Sequence, residues 1–495
     1  MYFKTTLLGL FIFSIFLIAC KKWDDHTALK DQNLNLNLLQ AVSERPNLSK
    51  FYEYLQKTGL DKELSSSKTY TVWAPTNDAL QNLDPAIAAD SARLRKLIAN
   101  HIAFQQFFTR DVPLAEGMRI PMLSGKRIGF LKNKFDDASI IESDKFVNNG
   151  VLHLVDKIAP VLSNAWELVN ETKTAFLQSA FITSLNFNGF DPSTAIIDSI
   201  NAVTGQPIYR PGTGVIARNR FNDQVYDLKN EQKQYTYFIL NNTGFNVEVN
   251  KLKPYYATGT ADSTTNLSSF AVVKDLLVDS LMLNPAQWPD TLRLISKFGV
   301  TIPIEKSKIV ETRKMSNGIA YVMSSVNFSA KSKIPTIINQ GRNPSAFFRP
   351  TGELVDVRNA TFYRARTHPV TGQLFNDIFL YNHGVASLNI QYQSQNTPSV
   401  KYKVSWVAVN DTLTVDRGNR INPVVFSQRL AMGSRTSTSF ALIAVNPNNY
   451  NEVSLGEYTQ TGYGDLNMFL TAANSGTAGV NSLSLYYIKL VPDIQ

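Results

Sequence analysis

The sequence predicts a multidomain α+β protein, in which two α+β domains precede an all-β sandwich. The chain has 495 residues, whereas a single hydrophobic core rarely serves more than about 250–300 residues. A short strand-like motif that leads into a helix occurs near residue 70 and again near residue 235. Beyond residue 333, helical periodicity gives way to short runs of alternating apolar and polar residues, which predict β-strands.

The first box, residues 70–80, has the sequence Tyr-Thr-Val-Trp-Ala-Pro-Thr-Asn-Asp-Ala-Leu. The aromatic and β-branched residues at its start favour a β-strand. Pro75 ends that strand because proline has no N–H group to donate to a neighbouring strand. Thr76, Asn77 and Asp78 then offer side-chain oxygens to the free N–H groups at the start of a helix.

The second box, residues 147–158, contains an Asn149-Gly150 pair that predicts a tight turn into a strand. These two boxes, with a helix ending near His101 between them, resemble a fasciclin domain over residues 31–162. In fasciclin domains the histidine positions lie in the interior, so the resemblance implies that these histidines stabilise the fold by hydrogen bonds. The structural motif residues that the resemblance implies are Thr71, Pro75, Asn77, His101, Asn149, Gly150 and His153.

Both boxes recur farther along the chain in a degenerate form. Residues 235–245 match the first box in their opening Tyr-Thr, in the aromatic residue at the fourth place and in the Asn at the eighth place, although Ala-Pro is lost. Residues 316–323 match the second box, with Tyr321 in the place of His153.

The spacing of the boxes agrees between the two copies. The tyrosine that opens the first box lies 83 positions before His153, and its counterpart lies 86 positions before Tyr321. Shared order and spacing indicate an internal repeat. We therefore predict a divergent second fasciclin-like domain at residues 163–332, with an insertion of surface loops and short strands at residues 186–233.

Residues 333–495 form the predicted β-sandwich. Its clearest strand, residues 400–409, alternates apolar and polar residues. The ending at residues 482–492 resembles the last strands of jelly-roll carbohydrate-binding or galactose-binding-like modules. Because sugar rings stack on Trp and Tyr, the candidate ligand contacts are Trp406, Tyr450, Tyr458 and Tyr463. The alternative is that Trp406, with Tyr486 or Tyr487, fills the sandwich core.

The N-terminal residues predict a lipid anchor. An apolar run at residues 7–18 ends in Leu-Ile-Ala-Cys, which resembles the lipobox of bacterial lipoproteins. The resemblance implies a signal peptide at residues 1–19, an acylated Cys20 and a linker at residues 20–30. Each buried methylene of an acyl chain adds about 0.8 kcal/mol, so several chains hold a protein firmly on a bilayer. An ordinary secretory signal with a coincidental cysteine is the alternative.

The residues after Cys20 bear on location. Lys-Lys-Trp-Asp-Asp at residues 21–25 resembles the export tag of Bacteroidetes lipoproteins that reach the outer face of the outer membrane. We therefore expect a lipid-anchored, surface-exposed protein of the outer membrane. The periplasmic leaflet is the alternative.

Charge and motif content argue against several classes of function. The net charge of +9 is scattered in short runs, which favours a solvated surface over a nucleic-acid interface. The single cysteine excludes a disulfide framework, and no two histidines stand within one helical turn, a spacing typical of zinc ligands. The sequence has no nucleophile elbow, phosphate loop or dinucleotide fingerprint. We expect no cofactor and no metal, although a calcium site in the sandwich stays open as an alternative.

The resemblances imply a non-catalytic surface lipoprotein for glycan binding or cell-surface adhesion. Lipoproteins of this plan look like accessory glycan binders that pass polysaccharide to a TonB-dependent porin, so a polysaccharide ligand and a porin partner are expected. The alternative is an adhesion or scaffold protein that binds a protein partner. Hydrolysis would need two convergent carboxylates, and the adjacent pairs Asp24-Asp25 and Asp136-Asp137 would point to opposite faces of a strand.

Overall fold

The computed structural model describes residues 32–66, 68–114, 116–414 and 420–494. The predicted signal peptide, Cys20 and the linker at residues 20–30 lie outside these described residues. The chain divides into two compact units, of which the first takes Met1–Leu168, Leu228–Gln234 and Lys314–Gly318, and the second takes the remainder. The predicted border between residues 332 and 333 therefore falls inside the second unit.

The first unit contains a mixed sheet with helices packed against it. Its sheet has the strand order β2-β1-β7-β6-β5-β4-β3. The helices are α1 Leu38–Ser43, α2 Ser49–Thr58, α3 Asp61–Leu64, α4 Pro85–Ala89 and α5 Ser91–Ala99, with 3₁₀ turns at Gln32–Asn35, Pro46–Leu48 and Thr109–Asp111. The strands are β1 Tyr70–Pro75, β2 Ile102–Phe104, β3 Met118–Pro121, β4 Arg127–Leu131, β5 Lys134–Phe135, β6 Ala138–Val147 and β7 Gly150–Val155.

Strands β1 and β7 lie at the centre of this unit. They pair in parallel, with Tyr70 beside Gly150 and Pro75 beside Val155, and every residue of both strands is buried. Tyr70, Val72 and Ala74 pack into the cluster that includes the helices, whereas Trp73 packs with aromatic residues on the other face. This alternation follows from the two-residue period of a strand.

Residues 235–323 repeat a smaller version of this sheet. Its order is β13-β12-β17-β16, and all six residues of β12 are buried. The helices of residues 165–333 are α6 Ala165–Thr172, α7 Leu177–Ser184, α8 Arg220–Gln224, α9 Asn242–Leu252, α10 Ala261–Val273 and α11 Ala330–Lys333, with 3₁₀ turns at Lys253–Tyr256, Pro285–Gln287 and Lys306–Lys308. The strands outside the insertion are β12 Tyr235–Leu240, β13 Leu277–Val278, β14 Thr291–Ile295, β15 Thr301–Glu305, β16 Ile309–Met315 and β17 Gly318–Met323.

The insertion at residues 186–233 forms two antiparallel strand pairs followed by α8. Strand β8 pairs with β11, and β9 pairs with β10. We call residues 186–219 the arm. Its strands are β8 Asn186–Phe190, β9 Ile197–Ile200, β10 Pro207–Tyr209 and β11 Val215–Asn219. Apolar side chains of the arm are exposed, among them Ile200 and Val203.

The C-terminal part of the second unit is built of β-strands. Its sheets have the orders β18-β31-β23-β28, β19-β22-β29-β26-β27 and β20-β21-β30, with a separate β24-β25 pair. A single cluster of buried residues, including Tyr392, Tyr402 and Trp406, draws on strands of all three larger sheets.

Most of these strands are short, and a 3₁₀ turn lies at Arg358–Ala360. The strands up to residue 421 are β18 Ile337–Gln340, β19 Ala346–Phe348, β20 Thr361–Thr367, β21 Leu374–Tyr381, β22 Asn389–Thr397, β23 Lys401–Val407, β24 Leu413–Thr414 and β25 Arg420–Ile421. The later strands are β26 Phe426–Met432, β27 Ile443–Val445, β28 Val453–Thr459, β29 Gly464–Ala472, β30 Ser482–Leu485 and β31 Tyr487–Pro492.

Candidate functional site

The box threonines tie the first strand of each copy to a passing loop. The Thr71 hydroxyl donates to the Gln105 carbonyl at 2.8 Å and accepts the Phe107 N–H at 2.9 Å. Thr236 does the same in the second copy, donating to the Ser280 carbonyl at 2.7 Å and accepting the Met282 N–H at 2.8 Å. A hydroxyl is needed because it donates and accepts at once.

The asparagine of each Asn-Gly turn makes three hydrogen bonds to backbone groups. Asn149 Oδ1 accepts the Leu38 N–H at 2.8 Å, and its Nδ2 donates to the carbonyls of Leu64 at 2.7 Å and Ser66 at 3.3 Å. The side chain thus joins the start of α1 to the loop before β1.

Asn317 repeats this arrangement in the second copy. Its Oδ1 accepts the Ala165 N–H at 2.9 Å, and its Nδ2 donates to the carbonyls of Leu228 at 3.0 Å and Asn230 at 3.2 Å. The groups bonded are again the first N–H of a helix and two carbonyls before the first box. Only an amide side chain can accept one bond and donate two in this geometry.

A further asparagine holds the start of a helix in each copy. Asn77 Oδ1 accepts the Lys50 N–H at 3.0 Å, and its Nδ2 donates to the Pro46 carbonyl at 2.9 Å. Asn242 Oδ1 accepts the Leu177 N–H at 2.7 Å, and its Nδ2 donates to the Ala175 carbonyl at 3.1 Å. Both satisfy groups that a helix end leaves free.

The two histidines of the first unit are buried and fully bonded. His101 Nδ1 donates to the Trp73 carbonyl at 2.9 Å, and its Nε2 accepts the Ala159 N–H at 3.2 Å. His153 Nδ1 accepts the Asp144 N–H at 3.2 Å, and its Nε2 donates to the Phe107 carbonyl at 2.9 Å. Burial lowers the pKa of His101 to about 4 and also lowers the pKa of His153. Both rings are therefore neutral near pH 7, with no ring nitrogen left for a ligand.

Tyr321 takes the role of His153 in the second copy. Its hydroxyl donates to the Met282 carbonyl at 2.6 Å, and Met282 is the residue whose N–H bonds the box threonine. His153 bonds the carbonyl of Phe107 in the same relation to Thr71. A tyrosine and a histidine thus supply the same donor to equivalent carbonyls.

Pro75 and Gly150 act through backbone geometry. Pro75 is the last residue of β1, where its missing N–H costs no ladder bond. Gly150 faces the first strand so closely that a Cβ atom there would lie 2.0 Å from the Tyr70 carbonyl oxygen. Any other residue would separate β1 from β7, so the glycine is required by close approach.

The candidate ligand contacts of the sandwich do not form one surface. Trp406 is 1% exposed in the core, so its prediction as a ligand contact is wrong: it cannot reach a ligand without opening the sandwich. Tyr463 lies on Tyr256, with ring centres 5.1 Å apart, and donates its N–H to the Ala257 carbonyl. Tyr458 packs partly buried against the core cluster. Of the four, Tyr450 has aromatic neighbours on the sandwich itself.

Five rings form a contiguous row, which we call the aromatic strip: His368, Tyr450, Phe375, Tyr486 and Tyr487. Successive ring centres lie 5.5, 6.3, 4.4 and 4.8 Å apart. Phe375, in the middle of the row, is buried, and the two rings on either side of it are partly exposed. Tyr450 was predicted from the sequence as a ligand contact, and Tyr486 or Tyr487 was the alternative for the core; all three pack partly buried against the small core cluster of Phe375, Val407 and Val409.

Polar groups fix the outer tyrosines of the strip. The Tyr450 hydroxyl donates to Asp411 at 2.8 Å, and the Tyr487 hydroxyl donates to Glu452 at 2.9 Å. Lys489 also reaches Glu452 at 3.0 Å. Arg366 stands directly across the strand pair from Phe375 and forms an ion pair with Asp411. The strip is therefore a set of held rings with carboxylates, an ammonium and a guanidinium around them.

A buried ionic network supports the strip from below. Arg364 donates to Asp377 at 2.9 Å and to Asp411 at 2.9 Å, and all three residues are buried. Burial raises the pKa of Asp377, and the Arg364 hydrogen bond opposes that rise. Because removing one partner would leave a buried charge unpaired, the network holds Asp411, and through it Tyr450, in place.

Two features are absent from the described residues, a cluster of metal ligands and a membrane-spanning helix. No group of three or more His, Cys, Asp or Glu side chains in these residues is arranged to hold a metal ion. Within the same residues, no helix combines the length and apolar character needed to cross a bilayer.

Comparison with known proteins gives a match for part of the chain. The family model described as Fasciclin domain matches residues 46–160. Human periostin is 25% identical over 145 residues, which are 26% of this chain and 17% of periostin. Protein sll1483 of Synechocystis sp. is 25% identical over 134 residues, 25% of this chain and 72% of that protein. The match thus spans about a sixth of the length of periostin.

Solved structures give more distant likenesses. A FAS1 domain pair from the insect cell adhesion molecule Fasciclin I shares 17% identity, covers 59% of this chain and all of that one, and has a TM-score of 0.24. A family 35 carbohydrate-binding module from Clostridium thermocellum shares 13% identity, covers 32% of this chain and 97% of that one, and has a TM-score of 0.21. Likeness at this level carries no argument about function. From the family match, the chain contains a fasciclin domain at residues 46–160.

Proposed function

We propose that the protein is a non-catalytic, lipid-anchored surface protein whose C-terminal sandwich binds a glycan. The observation that carries the proposal is the aromatic strip, in which two pairs of partly exposed rings, His368 with Tyr450 and Tyr486 with Tyr487, flank the buried Phe375 ring. Sugar rings present flat C–H faces, and aromatic rings cover such faces favourably. A row of rings can follow successive sugars of a chain.

The surroundings of the strip suit a hydroxyl-rich ligand. Glu452, Lys489 and Arg366 place charged donors and acceptors at the edges of the rings. Small-molecule sites commonly combine apolar walls with a few such polar groups, which set orientation and specificity. Because Tyr450 and Tyr487 are held by carboxylates, their rings lose little freedom when a ligand binds, which favours affinity.

The remaining modules supply adhesion and attachment in this proposal. The fasciclin domain is an adhesion-type domain, and residues 163–332 serve as a second, divergent copy. The support for that copy is its repetition of the threonine and asparagine contacts of the first. Cys20 carries the acyl chains that anchor the protein to the outer membrane, facing outwards, where a TonB-dependent porin would receive the polysaccharide.

Glycan-array binding of the detergent-solubilised full-length protein tests the sandwich proposal. We expect the protein to retain at least one polysaccharide, and Tyr487→Ala to weaken that binding about tenfold, the equivalent of about 1.4 kcal/mol. Tyr363→Ala is the matched control, because Tyr363 is a well-exposed tyrosine of the same sandwich outside the strip. An array without any signal, together with co-purification of a protein partner, would favour the adhesion or scaffold alternative.

Mass spectrometry of the membrane fraction tests the anchor. We expect acylated Cys20 at the mature N-terminus, and we expect Cys20→Ser to release the protein from membranes. Cleavage of the protein by protease added to intact cells then reports whether the protein faces outwards. A mature protein free of lipid would contradict the anchor and leave the glycan proposal standing.

A further inference from the structure

A cavity of about 410 Å³ opens in the second unit where the arm joins the repeat. Its walls come from α7, from β8, from both ends of α8, and from α10. Phe181, Phe187 and Phe270 line it, and each is partly buried, so apolar ring surface faces the space. Ligand pockets of proteins usually measure about 300–1,000 Å³, and this volume suits a ligand of one or two sugar rings.

Arg220 gives the cavity its charge. The guanidinium carbon lies 5.9 Å from the centre of the Phe187 ring, and within the described residues it makes no ion pair and no side-chain hydrogen bond. The neighbouring Arg218, by contrast, pairs with Asp223 at 3.2 Å. The five N–H donors of Arg220 are therefore open to a ligand, and a guanidinium binds a carboxylate with two parallel hydrogen bonds.

Amide side chains complete the lining. Gln224 and Asn266 both line the cavity and are exposed. Each amide can donate and accept hydrogen bonds, as sugar hydroxyls require. An alkyl chain in this cavity would cover these polar groups without forming hydrogen bonds to them, which is unfavourable. The lining thus favours a polar ring over a fatty acid.

We propose that this cavity binds a carboxylated sugar residue of an acidic polysaccharide. The carboxylate lies against Arg220, the C–H face of the ring lies against the phenylalanines, and the hydroxyls bond the amides. The site is separate from the aromatic strip of the sandwich, so the inference goes beyond the proposed function and does not depend on it. It assigns a role to the insertion, because Phe187 and Arg220 both belong to residues 186–233.

Isothermal titration calorimetry with uronic-acid trisaccharides tests this inference on the detergent-solubilised full-length protein. The probes are trisaccharides of galacturonate, glucuronate and mannuronate, with galactotriose as the neutral counterpart. We expect at least one acidic trisaccharide to bind, and galactotriose to bind at least tenfold more weakly. Absence of binding by all three acidic probes, or equal affinity for galactotriose, overturns the inference.

Variants place the binding in the cavity. We expect Arg220→Gln to weaken binding of the acidic trisaccharide at least tenfold, with unchanged thermal unfolding because Arg220 is exposed. Arg210→Gln is the matched control: Arg210 is an exposed arginine of the arm, paired with Asp198 at 3.0 Å, and it does not line the cavity. Equal affinity in wild-type protein and Arg220→Gln overturns the inference.

The sandwich variant separates this site from the aromatic strip. Tyr487→Ala should leave binding of the acidic trisaccharide unchanged, whatever it does to array binding. If Tyr487→Ala abolishes that binding while Arg220→Gln retains it, the acidic sugar belongs to the strip and the cavity proposal fails. If array binding proves insensitive to Tyr487→Ala while Arg220→Gln loses the trisaccharide, the strip proposal fails and the cavity proposal stands.

Discussion

Residues 70–158 and residues 235–323 hold the same pattern of hydrogen bonds inside different apolar surroundings. Both copies keep a threonine and two asparagines that bond backbone groups. Around Trp73 the first copy stacks Phe135 at 4.6 Å and His153 at 5.4 Å, whereas the second packs Phe238 and Trp288 on Tyr321. Backbone groups need a partner at one defined place, but apolar volume can be filled in several ways.

The copies also differ in the segments inserted between their shared helices and strands. The second copy carries the arm and the cavity beside it, while the corresponding part of the first copy passes from α3 to β1 through a short polar loop. Surface insertions cost little stability because loop-closure entropy rises slowly with length. New binding capacity can therefore be added to a repeat whose hydrogen bonds stay constant.

The largest effect that we expect is from removing the turn asparagine. Asn149→Ala leaves the Leu38 N–H and the Leu64 carbonyl buried without a partner, which should cost about 4 kcal/mol in the free energy of unfolding. Hydrogen exchange measured by mass spectrometry should show faster exchange in Tyr70–Pro75 and Gly150–Val155. Asn317→Ala should produce the same change in Tyr235–Leu240 and Gly318–Met323.

The neighbouring Asn148 provides the control for this comparison. Asn148 is exposed, so Asn148→Ala should leave exchange in both copies unchanged. If Asn149→Ala increased hydrogen exchange and Asn317→Ala did not, the two Asn-Gly turns would not have equivalent roles. The second box would then not be a structural repeat of the first copy's box.

Acid should weaken the first copy more than the second. The folded pKa of His101 is about 4, below the ordinary value of 6.5, so the unfolded chain binds the proton more tightly. Stability contributed by the neutral ring is present above pH 6.5 and is lost as the pH falls from 6.5 towards 4, by about 3 kcal/mol. Residues 163–332 contain no histidine, so this loss is confined to the first copy.

Hydrogen exchange at several pH values, corrected for the intrinsic rate, measures this difference. As the pH is lowered from 6.5 to 4, the opening free energies in β1 and β7 should fall. Those in β12 should show no change attributable to histidine protonation. His101→Gln should reduce the dependence in the first copy and leave the part that comes from His153, whose pKa burial also lowers. A dependence that persists unchanged in that variant would assign the titration to another group.

The smallest effect of the three is expected from the box threonines. Thr71→Val and Thr236→Val each remove one donated and one accepted hydrogen bond while keeping the side-chain shape. We expect each to lose about 2 kcal/mol, read as the opening free energy of its own strand. If the losses of opening free energy differed severalfold between the copies, the same hydrogen-bond geometry would contribute unequally to the stability of the two copies.

The sandwich shows how far residue type alone can locate a site. Trp406 and Tyr450 were both candidate contacts from their chemistry, yet Trp406 is buried in the core and Tyr450 lies in the strip. Tyr486 was an alternative for the core, and it lies partly buried against the small core cluster of Phe375, Val407 and Val409, at the break between β30, which ends at Leu485, and β31, which begins at Tyr487. Exposure depends on which strands cover a residue, and the covering strands are distant in the chain.

The repeated boxes were predictable because their signals are local. Pro75 ends a strand, Gly150 permits a close approach, and Thr and Asn side chains bond backbone groups; these are properties of residue types at fixed places. The strip and the cavity differ from the boxes because each is formed by residues from separate elements. In the cavity, for example, Arg220 lines the same space as Phe181 and Phe270. Sequence by itself determined where the backbone turns, stops and needs a partner. Only the tertiary structure decided which aromatic rings meet and which arginine stays unpaired, since contacts between distant segments arise from packing rather than from local preference.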